Sequence, residues 1–273
     1  MTFQAAQLNA NQAHIMGILN VTPDSFSDGG LHFETELALK HAEDLIVAGA
    51  HSVDVGGEST QPGAQRVPLT EELRRVIPVV SELSRAGIVV SVDTTRAKVA
   101  REAISAGAQI INDVSGGLGD PEMAQVIATA PNVSYVVMHW RGPATVMDGL
   151  NNYNQLGRDV ATELSHRLEV LFDAGVSPTQ IVLDPGLGFS KVGPQNWHLL
   201  TQLKYLRDLG YPILIGASRK RFLTKENDTL SERDLATAVL SGLLAQQGFW
   251  VHRVHNVAAT ARSLEIVKAL EEQ

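Results

Sequence analysis

Short apolar, β-branched runs recur along the chain at 15–19, 52–55, 88–92, 109–111, 133–138, 181–183, 212–215 and 249–254. Continuous apolar runs of this length read as strands buried on both faces. Between them lie longer segments with helical spacing, among them 36–47, 71–83, 96–106, 158–174 and 235–246. Several close on a glycine, a common helix stop: Gly49, Gly87, Gly107, Gly175, Gly210 and Gly248. Strand then helix, eight times over, implies a parallel sheet with helical crossovers. At about 34 residues per unit the chain fits a (β/α)8 barrel, an α/β fold in one domain. An open doubly wound sheet is the alternative. The count of eight argues against it, as does the lack of a strand running into a GxGxxG helix start. Gly186-Leu-Gly188 follows a proline and lacks the third glycine, so it reads as a loop.

Active sites of such barrels form at the C-terminal strand ends. The residues after the apolar runs are therefore the place to look for chemistry. They are Asn20, Asp54 with Glu58, Asp93, Asn112-Asp113, His139, Asp184, Ser218-Arg219-Lys220, and Arg253 with His255. Turn chemistry would supply Gly, Ser, Asp and Asn. It would not also supply Lys, Arg and His at three of the eight ends. After the first run the chain turns polar through 20–28 and closes on Gly29-Gly30, which predicts a mobile loop over the barrel mouth.

Composition narrows the function classes. The 273 residues are 44% hydrophobic, enough for a full core, and no linker or charge run splits them. A net charge of -8 argues against non-specific nucleic acid or anionic membrane as partner. With no cysteine there is no disulfide framework, thiolate nucleophile or thiolate metal site. Residues 1–13 are polar and alanine-rich and do not read as a signal peptide, and no apolar run is long enough to span a bilayer. The expected organisation is an N-terminal extension, 1–13, ahead of a barrel domain, 14–273, in a soluble cytoplasmic protein.

Three groups of strand-end residues suggest specific chemistry. Ser218-Arg219-Lys220-Arg221 is predicted to sit at a helix start, where each cation opposes the dipole by roughly 0.3–1 kcal/mol and calls for an anion or acceptor. The bland reading is an exposed basic turn. In Val251-His-Arg-Val-His255, strand alternation puts Arg253 and His255 on one face with Val251. If that face is the barrel interior, the pair forms an oxyanion clamp on the rim. Asp93 and Asp184 could serve as a helix cap and a turn opener. With Asn112 they would also make a polar wall for a planar heterocycle bearing amino and oxo groups. Asn20 offers a neutral oxygen suited to Mg²⁺, which binds through few protein groups. The nine histidines show no HExxH or paired spacing, so zinc is not expected.

Across nearly its whole length the chain resembles the dihydropteroate synthase family of pterin-binding barrels. The motifs are Ile18-Leu-Asn-Val-Thr-Pro-Asp-Ser-Phe-Ser-Asp-Gly-Gly30, Asp54-Val-Gly-Gly-Glu-Ser-Thr60, Ser91-Val-Asp-Thr94, Ile111-Asn-Asp-Val114, Leu183-Asp-Pro-Gly186, Gly216-Ala-Ser-Arg-Lys220 and Arg253-Val-His255. The resemblance implies condensation of a dihydropterin methyl diphosphate with p-aminobenzoate, releasing diphosphate. It implies that Asp93, Asn112, Asp184 and Lys220 hold the pterin. Thr60, Arg253 and His255 would hold the diphosphate, Asn20 the Mg²⁺ on it, and Phe26, Phe189 and Ser218 the p-aminobenzoate. Asp93, Lys220 and His255 are the implied catalytic groups. A homodimer through outer helices and inhibition by sulfonamides are implied in the same way.

Two positions depart from the family pattern: Gln61, where an Arg usually follows Glu-Ser-Thr, and Asn256, where an Asp usually follows Arg-Val-His. The missing Arg would pair with Asp28 on loop closure, so closure is expected to be weaker, or served by Arg66 instead. Two rival readings share part of the pattern. A corrinoid-type pterin methyltransferase would need neither Lys220 nor the Arg253/His255 clamp. A catalytically dead paralogue would be consistent with Gln61.

Overall fold

The computed structural model describes residues 13–21, 30–58, 66–143 and 145–272. Among these, eight strands alternate with helices: β1 (His14–Asn20), α1 (Gly30–Val47), β2 (Ser52–Gly56), α2 (Leu69–Arg85), β3 (Val90–Asp93), α3 (Ala97–Ser105), β4 (Ile110–Asp113) and α4 (Met123–Ala128) open the series. It continues with β5 (Ser134–Met138), α5 (Leu156–Asp173), β6 (Ile181–Asp184), α6 (Gly193–Leu200), α7 (Lys204–Arg207), β7 (Leu214–Ile215), α8 (Leu230–Ala245), β8 (Val251–Val254) and α9 (Val257–Glu271).

All neighbouring strands pair in parallel, in the order β6-β5-β4-β3-β2-β1-β8-β7. A parallel bridge between Leu183 and Ile213, with the Leu183 N–H donating to the Pro212 carbonyl at 2.8 Å, joins β6 to β7 and closes the barrel. The (β/α)8 expectation holds, and the open sheet is ruled out by this closure. β7 is shorter than the apolar run 212–215, since Pro212 has no N–H for a ladder. The six glycines expected to stop helices all have positive φ, between 80° and 107°.

Alternation fixes which side chains enter the barrel. Met16, Ile110, Val136, Val182, Leu214 and Val251 meet as a buried cluster separate from the larger core between strands and helices. Each of these strands then presents to the interior, two residues later, Ile18, Asn112, Met138, Asp184, Gly216 and Arg253. β2 and β3 add Asp54 and Asp93 on the same face. An apolar floor thus carries a polar, charged layer at the C-terminal strand ends.

Candidate active site

Arg253 is the centre of that layer. Its Nε donates to Asp54 Oδ2 at 2.6 Å and its terminal nitrogen to Asp93 Oδ2 at 2.8 Å. Asn112 Nδ2 donates to the same Asp54 oxygen at 3.0 Å. Asp54 Oδ1 is buried without a partner among the described residues. Burial holds the Asp93 carboxyl above the usual carboxylate range, against the opposing charge of Arg253 and with the neighbouring Asp54 pushing the same way. Strand register lines up Asn20, Gly56, Asp93 and Asn112 across β1 to β4. A Cβ at Gly56 would lie 3.6 Å from Asn20 Oδ1 and 3.8 Å from Asp93 Cβ, so the glycine sits between the two side chains.

Across the mouth, Asp184 Oδ1 accepts the Gly186 N–H at 2.7 Å, which is the turn role read from the sequence. Its Oδ2 lies on the barrel side, 3.4 Å from where a Cβ on Gly216 would stand. The Asp184 carboxyl is raised by burial, with Lys220 as the main opposing charge. Lys220 Nζ donates to the Leu187 carbonyl and lies 4.8 Å from the centroid of the Phe189 ring. Burial lowers its ammonium from the ordinary lysine value to about 8, against the pull of Asp184.

The basic stretch at 218–221 departs from expectation in two ways. It does not open an α-helix: Arg219 has a φ of 59°, a 3₁₀ turn spans Arg221–Leu223, and α8 begins only at Leu230. Nor do its cations converge on one anion. Arg219 is taken by Asp234 of α8 through bonds of 2.6 and 2.9 Å, and Arg221 is exposed. Lys220 alone of the three turns to the mouth.

The structure gives the two members of the Arg253/His255 pair different partners. Arg253 is engaged by carboxylates, while His255 is paired with Ser218, whose Oγ lies 2.9 Å from His255 Nδ1 and accepts the His255 backbone N–H at 3.2 Å. With that N–H accepted, the hydroxyl proton is free to donate to Nδ1, so the Nε2–H tautomer is assigned. Burial, with Arg219 and Arg253 adding to it, lowers the imidazole to about 4. Near neutral pH His255 therefore offers a neutral N–H donor rather than a second positive charge. Ser218, read as a p-aminobenzoate contact, has its hydroxyl committed to orienting this ring.

Asn256 gains a structural reason. Its Oδ1 accepts the Ala259 N–H at 3.0 Å as the N-cap of α9, and its Nδ2 donates to Asp234 Oδ2 at 3.3 Å. An aspartate would still cap the helix but would set a carboxylate against Asp234. We predict that Asn256→Asp costs about 1 kcal/mol of stability, from the lost donor and the like-charge contact, read by denaturant unfolding at neutral pH. A variant as stable as the parent would refute this.

Thr60, Phe26, Asp28 and Gln61 lie outside the described residues. Arg66, considered as a stand-in for the missing loop arginine, donates to Thr95 Oγ1 at 2.8 Å and to Glu58 Oε1 at 3.3 Å.

The pterin-binding enzyme family matches residues 16–255. A dihydropteroate synthase of Mycobacterium leprae is 46% identical, with 93% of this chain and 92% of that protein covered. The chain belongs to the dihydropteroate synthase family of pterin-binding enzymes. Its membership makes it an alkyl-transferring enzyme. A solved dihydropteroate synthase of Xanthomonas albilineans with 4-aminobenzoic acid is 39% identical, with a TM-score of 0.88 over 96% of this chain and 94% of that one. One from Yersinia pestis with a sulfonamide drug complex is 37% identical, with a TM-score of 0.89 over 97% and 96%.

Two residues of this pterin-binding barrel escaped sequence reading. Asp54 was noted only as a strand-end acid with Glu58, yet it is fully buried and receives both Arg253 and Asn112. A charge flanked by valines in Val53-Asp-Val55 was the available signal. Lys191, in the loop after β6, is buried at 5% exposure and had no periodicity to mark it. Conversely, Asp113 and His139 were strand-end candidates but face away from the barrel interior. Asp113 takes the Ser115 and Gly117 N–H groups and the Tyr135 hydroxyl, and His139 Nε2 lies 3.0 Å from Glu163.

Proposed function

We propose that the protein is a dihydropteroate synthase in its own right, condensing (7,8-dihydropterin-6-yl)methyl diphosphate with p-aminobenzoate to 7,8-dihydropteroate and diphosphate. The observation that carries this is the meeting, at one end of the barrel, of Asp93, Asn112 and Asp184 with Lys220 and Arg253. The carboxylates accept N–H bonds from the pterin's amino and ring nitrogens, and Asn112 and Lys220 add donors for its oxo group and ring nitrogen. Such a set recognises a planar heterocycle with alternating donors and acceptors. Lys220 and the Arg253/His255 rim also set the chain apart from the corrinoid reading.

In this reading the diphosphate lies toward Arg253 and His255, with Thr60. Arg253 has N–H groups beyond those given to Asp54 and Asp93 that take no partner among the described residues, and His255 adds its neutral Nε2–H. The C–O bond at the pterin methylene breaks with its electron pair leaving on diphosphate. The buried Asp93 carboxylate stabilises the positive charge that develops on the pterin. The arylamine nitrogen then forms the new C–N bond and gives up one proton, with Phe189 and Phe26 beside its ring. No protein nucleophile takes part.

Among the described residues no cluster of His, Cys, Asp or Glu could hold a metal. A lone Asn20, the exposed last residue of β1, fits an ion held mostly by phosphate oxygens and water. Asn20 would hold Mg²⁺ there, and the ion's charge would offset that of the departing diphosphate. Among the described residues no helix is long and apolar enough to cross a membrane, and we propose a cytoplasmic location. Leu235, Val239 and Leu243 form an exposed stripe on α8, 62%, 52% and 54% accessible, which supports a homodimer through the outer helices. The family's sulfonamide complex supports inhibition by p-aminobenzoate mimics.

The test is direct. Purified protein with the pterin diphosphate, p-aminobenzoate and Mg²⁺ should yield dihydropteroate, detected by mass. Protein that binds pterin yet yields none would overturn the synthase reading in favour of a binding-only paralogue.

A further inference from the structure

The loop between β6 and α6 carries several groups of the site: Asp184 at its root, the Leu187 carbonyl that receives Lys220, and the Phe189 ring beneath the Lys220 ammonium. An irregular loop needs outside partners to keep such groups in place. Here the loop's own Lys191 reaches back to two of its carbonyls and out to His139 beyond it. Its Nζ lies 3.0 Å from the Gly186 carbonyl, 3.0 Å from the Phe189 carbonyl and 3.0 Å from His139 Nδ1. As an ammonium it has three hydrogens, and each finds an acceptor; burial lowers it to about 7 against the pull of Asp184, so this grip is fullest on the acid side of neutrality.

The neighbouring groups are set to receive it. Burial lowers His139 to about 4, so the ring is neutral and Nδ1 is an acceptor if Nε2 carries the proton. Nε2 lies 3.0 Å from Glu163 Oε2, which takes that proton's hydrogen bond. Arg141 grips Glu163 through bonds of 2.5 and 3.0 Å and covers the Tyr153 ring at 3.8 Å. The Tyr153 hydroxyl returns to the loop, donating to the Ser190 carbonyl at 3.0 Å. Gly186, with a φ of 67°, packs its backbone against the end of β5, where only glycine fits, since a Cβ there would meet the His139 carbonyl oxygen at 2.3 Å. The strand end of β5, helix α5 and the β6–α6 loop are thus tied together at one cation.

We propose that Lys191 is a positioning residue: its buried ammonium fixes the Gly186–Phe189 backbone so that the Leu187 carbonyl and the Phe189 ring hold Lys220 toward Asp184 and the pterin. It touches no substrate and acts through Lys220. The inference rests on the pterin reading of the site but not on the condensation itself.

The experiment measures pterin affinity directly, by titrating 6-hydroxymethylpterin into wild type, Lys191→Met, Lys191→Arg and Tyr153→Phe. Steady-state kinetics for both substrates and thermal unfolding accompany it. Lys191→Met removes the donors while keeping the stem. It should weaken pterin binding and lower kcat/KM by on the order of 10²-fold, the cost of misplacing reactive groups by about 1 Å. Lys191→Arg keeps a cation and donors and should recover part of that loss. Tyr153→Phe removes only the Ser190 bond and should shift pterin affinity in the same direction by less. A merely structural lysine would lower the melting temperature and leave pterin affinity of the folded protein unchanged. That result in Lys191→Met would overturn the proposal. Should Lys191→Met not fold, wild-type pterin affinity in both Lys191→Arg and Tyr153→Phe would overturn it instead. Absence of dihydropteroate from the wild type would refute the synthase reading alone, because the pterin titration stands apart from turnover.

Discussion

Replacing Arg253 with Met should abolish measurable turnover and lower stability by about 3–5 kcal/mol, the usual cost of removing one member of a buried ion pair. Methionine retains much of the apolar stem, so the change is chiefly one of charge. It leaves Asp54 and Asp93, whose side chains are 0% and 5% exposed, facing each other without the cation that joins them. Burial already holds Asp93 above the ordinary carboxylate range, and Arg253 is the charge that opposes this. An acid raised in the folded state binds more protons there than in the unfolded chain, so its contribution to stability falls as pH rises through that interval. Removing Arg253 widens the interval. The deficit of Arg253→Met should therefore shrink as the pH is lowered from about 8 toward about 5, followed by denaturant unfolding. Arg253→Lys restores the charge without the planar fork and should recover more stability than activity. A Met variant with wild-type stability, or a deficit independent of pH, would show that the carboxylates are satisfied by other means.

What the sequence made legible follows from periodicity. Alternation within Val251-His-Arg-Val-His255 sets Arg253 on one face with Val251, and the structure puts that face inside the barrel; Ile110 to Asn112 and Val182 to Asp184 obey the same rule. The same rule separates Asn112 from Asp113, which sequence reading left together. It did not reach partners set by tertiary contact. Arg219 and Lys220 look alike in the chain, yet Arg219 is claimed by Asp234 fifteen residues on, leaving Lys220 to the mouth. His255 and Arg253 share a strand face, but their states differ because one meets Ser218 and the other two carboxylates. Lys191 lies in a loop, where neither period applies. The partner that gives Asn256 a structural reason, Asp234, lies 22 positions away in the chain. In each case the missing information is the identity of a neighbour distant in sequence, and with it the charge a residue carries.

Lys220→Met should separate activity from stability in opposite directions. We expect kcat/KM for the pterin substrate to fall by about 10²–10³-fold, the scale of losing one preorganised donor in a shielded site. Stability should hold or rise. The ammonium is lowered to about 8 because burial disfavours its charge more than Asp184 favours it. A lysine lowered in the folded state binds fewer protons there than in the unfolded chain, whose value is about 10.4, so its contribution to stability rises with pH between the two. Removing the charge by mutation takes away that penalty, in full below about 8 and by less and less as the pH rises toward about 10.4. The wild type carries a matching signature. As pH rises through about 8, Lys220 loses the proton it needs to donate to the pterin, and kcat/KM should decline while this group's contribution to stability improves. Lys220→Met should lack that alkaline limb. The pair of measurements is a pH–rate profile and unfolding curves on wild type and variant over the same pH range. A destabilised Met variant would show that Lys220 holds the β6–α6 loop through the Leu187 carbonyl more than it serves the ligand. A variant of normal activity would remove Lys220 from the catalytic site.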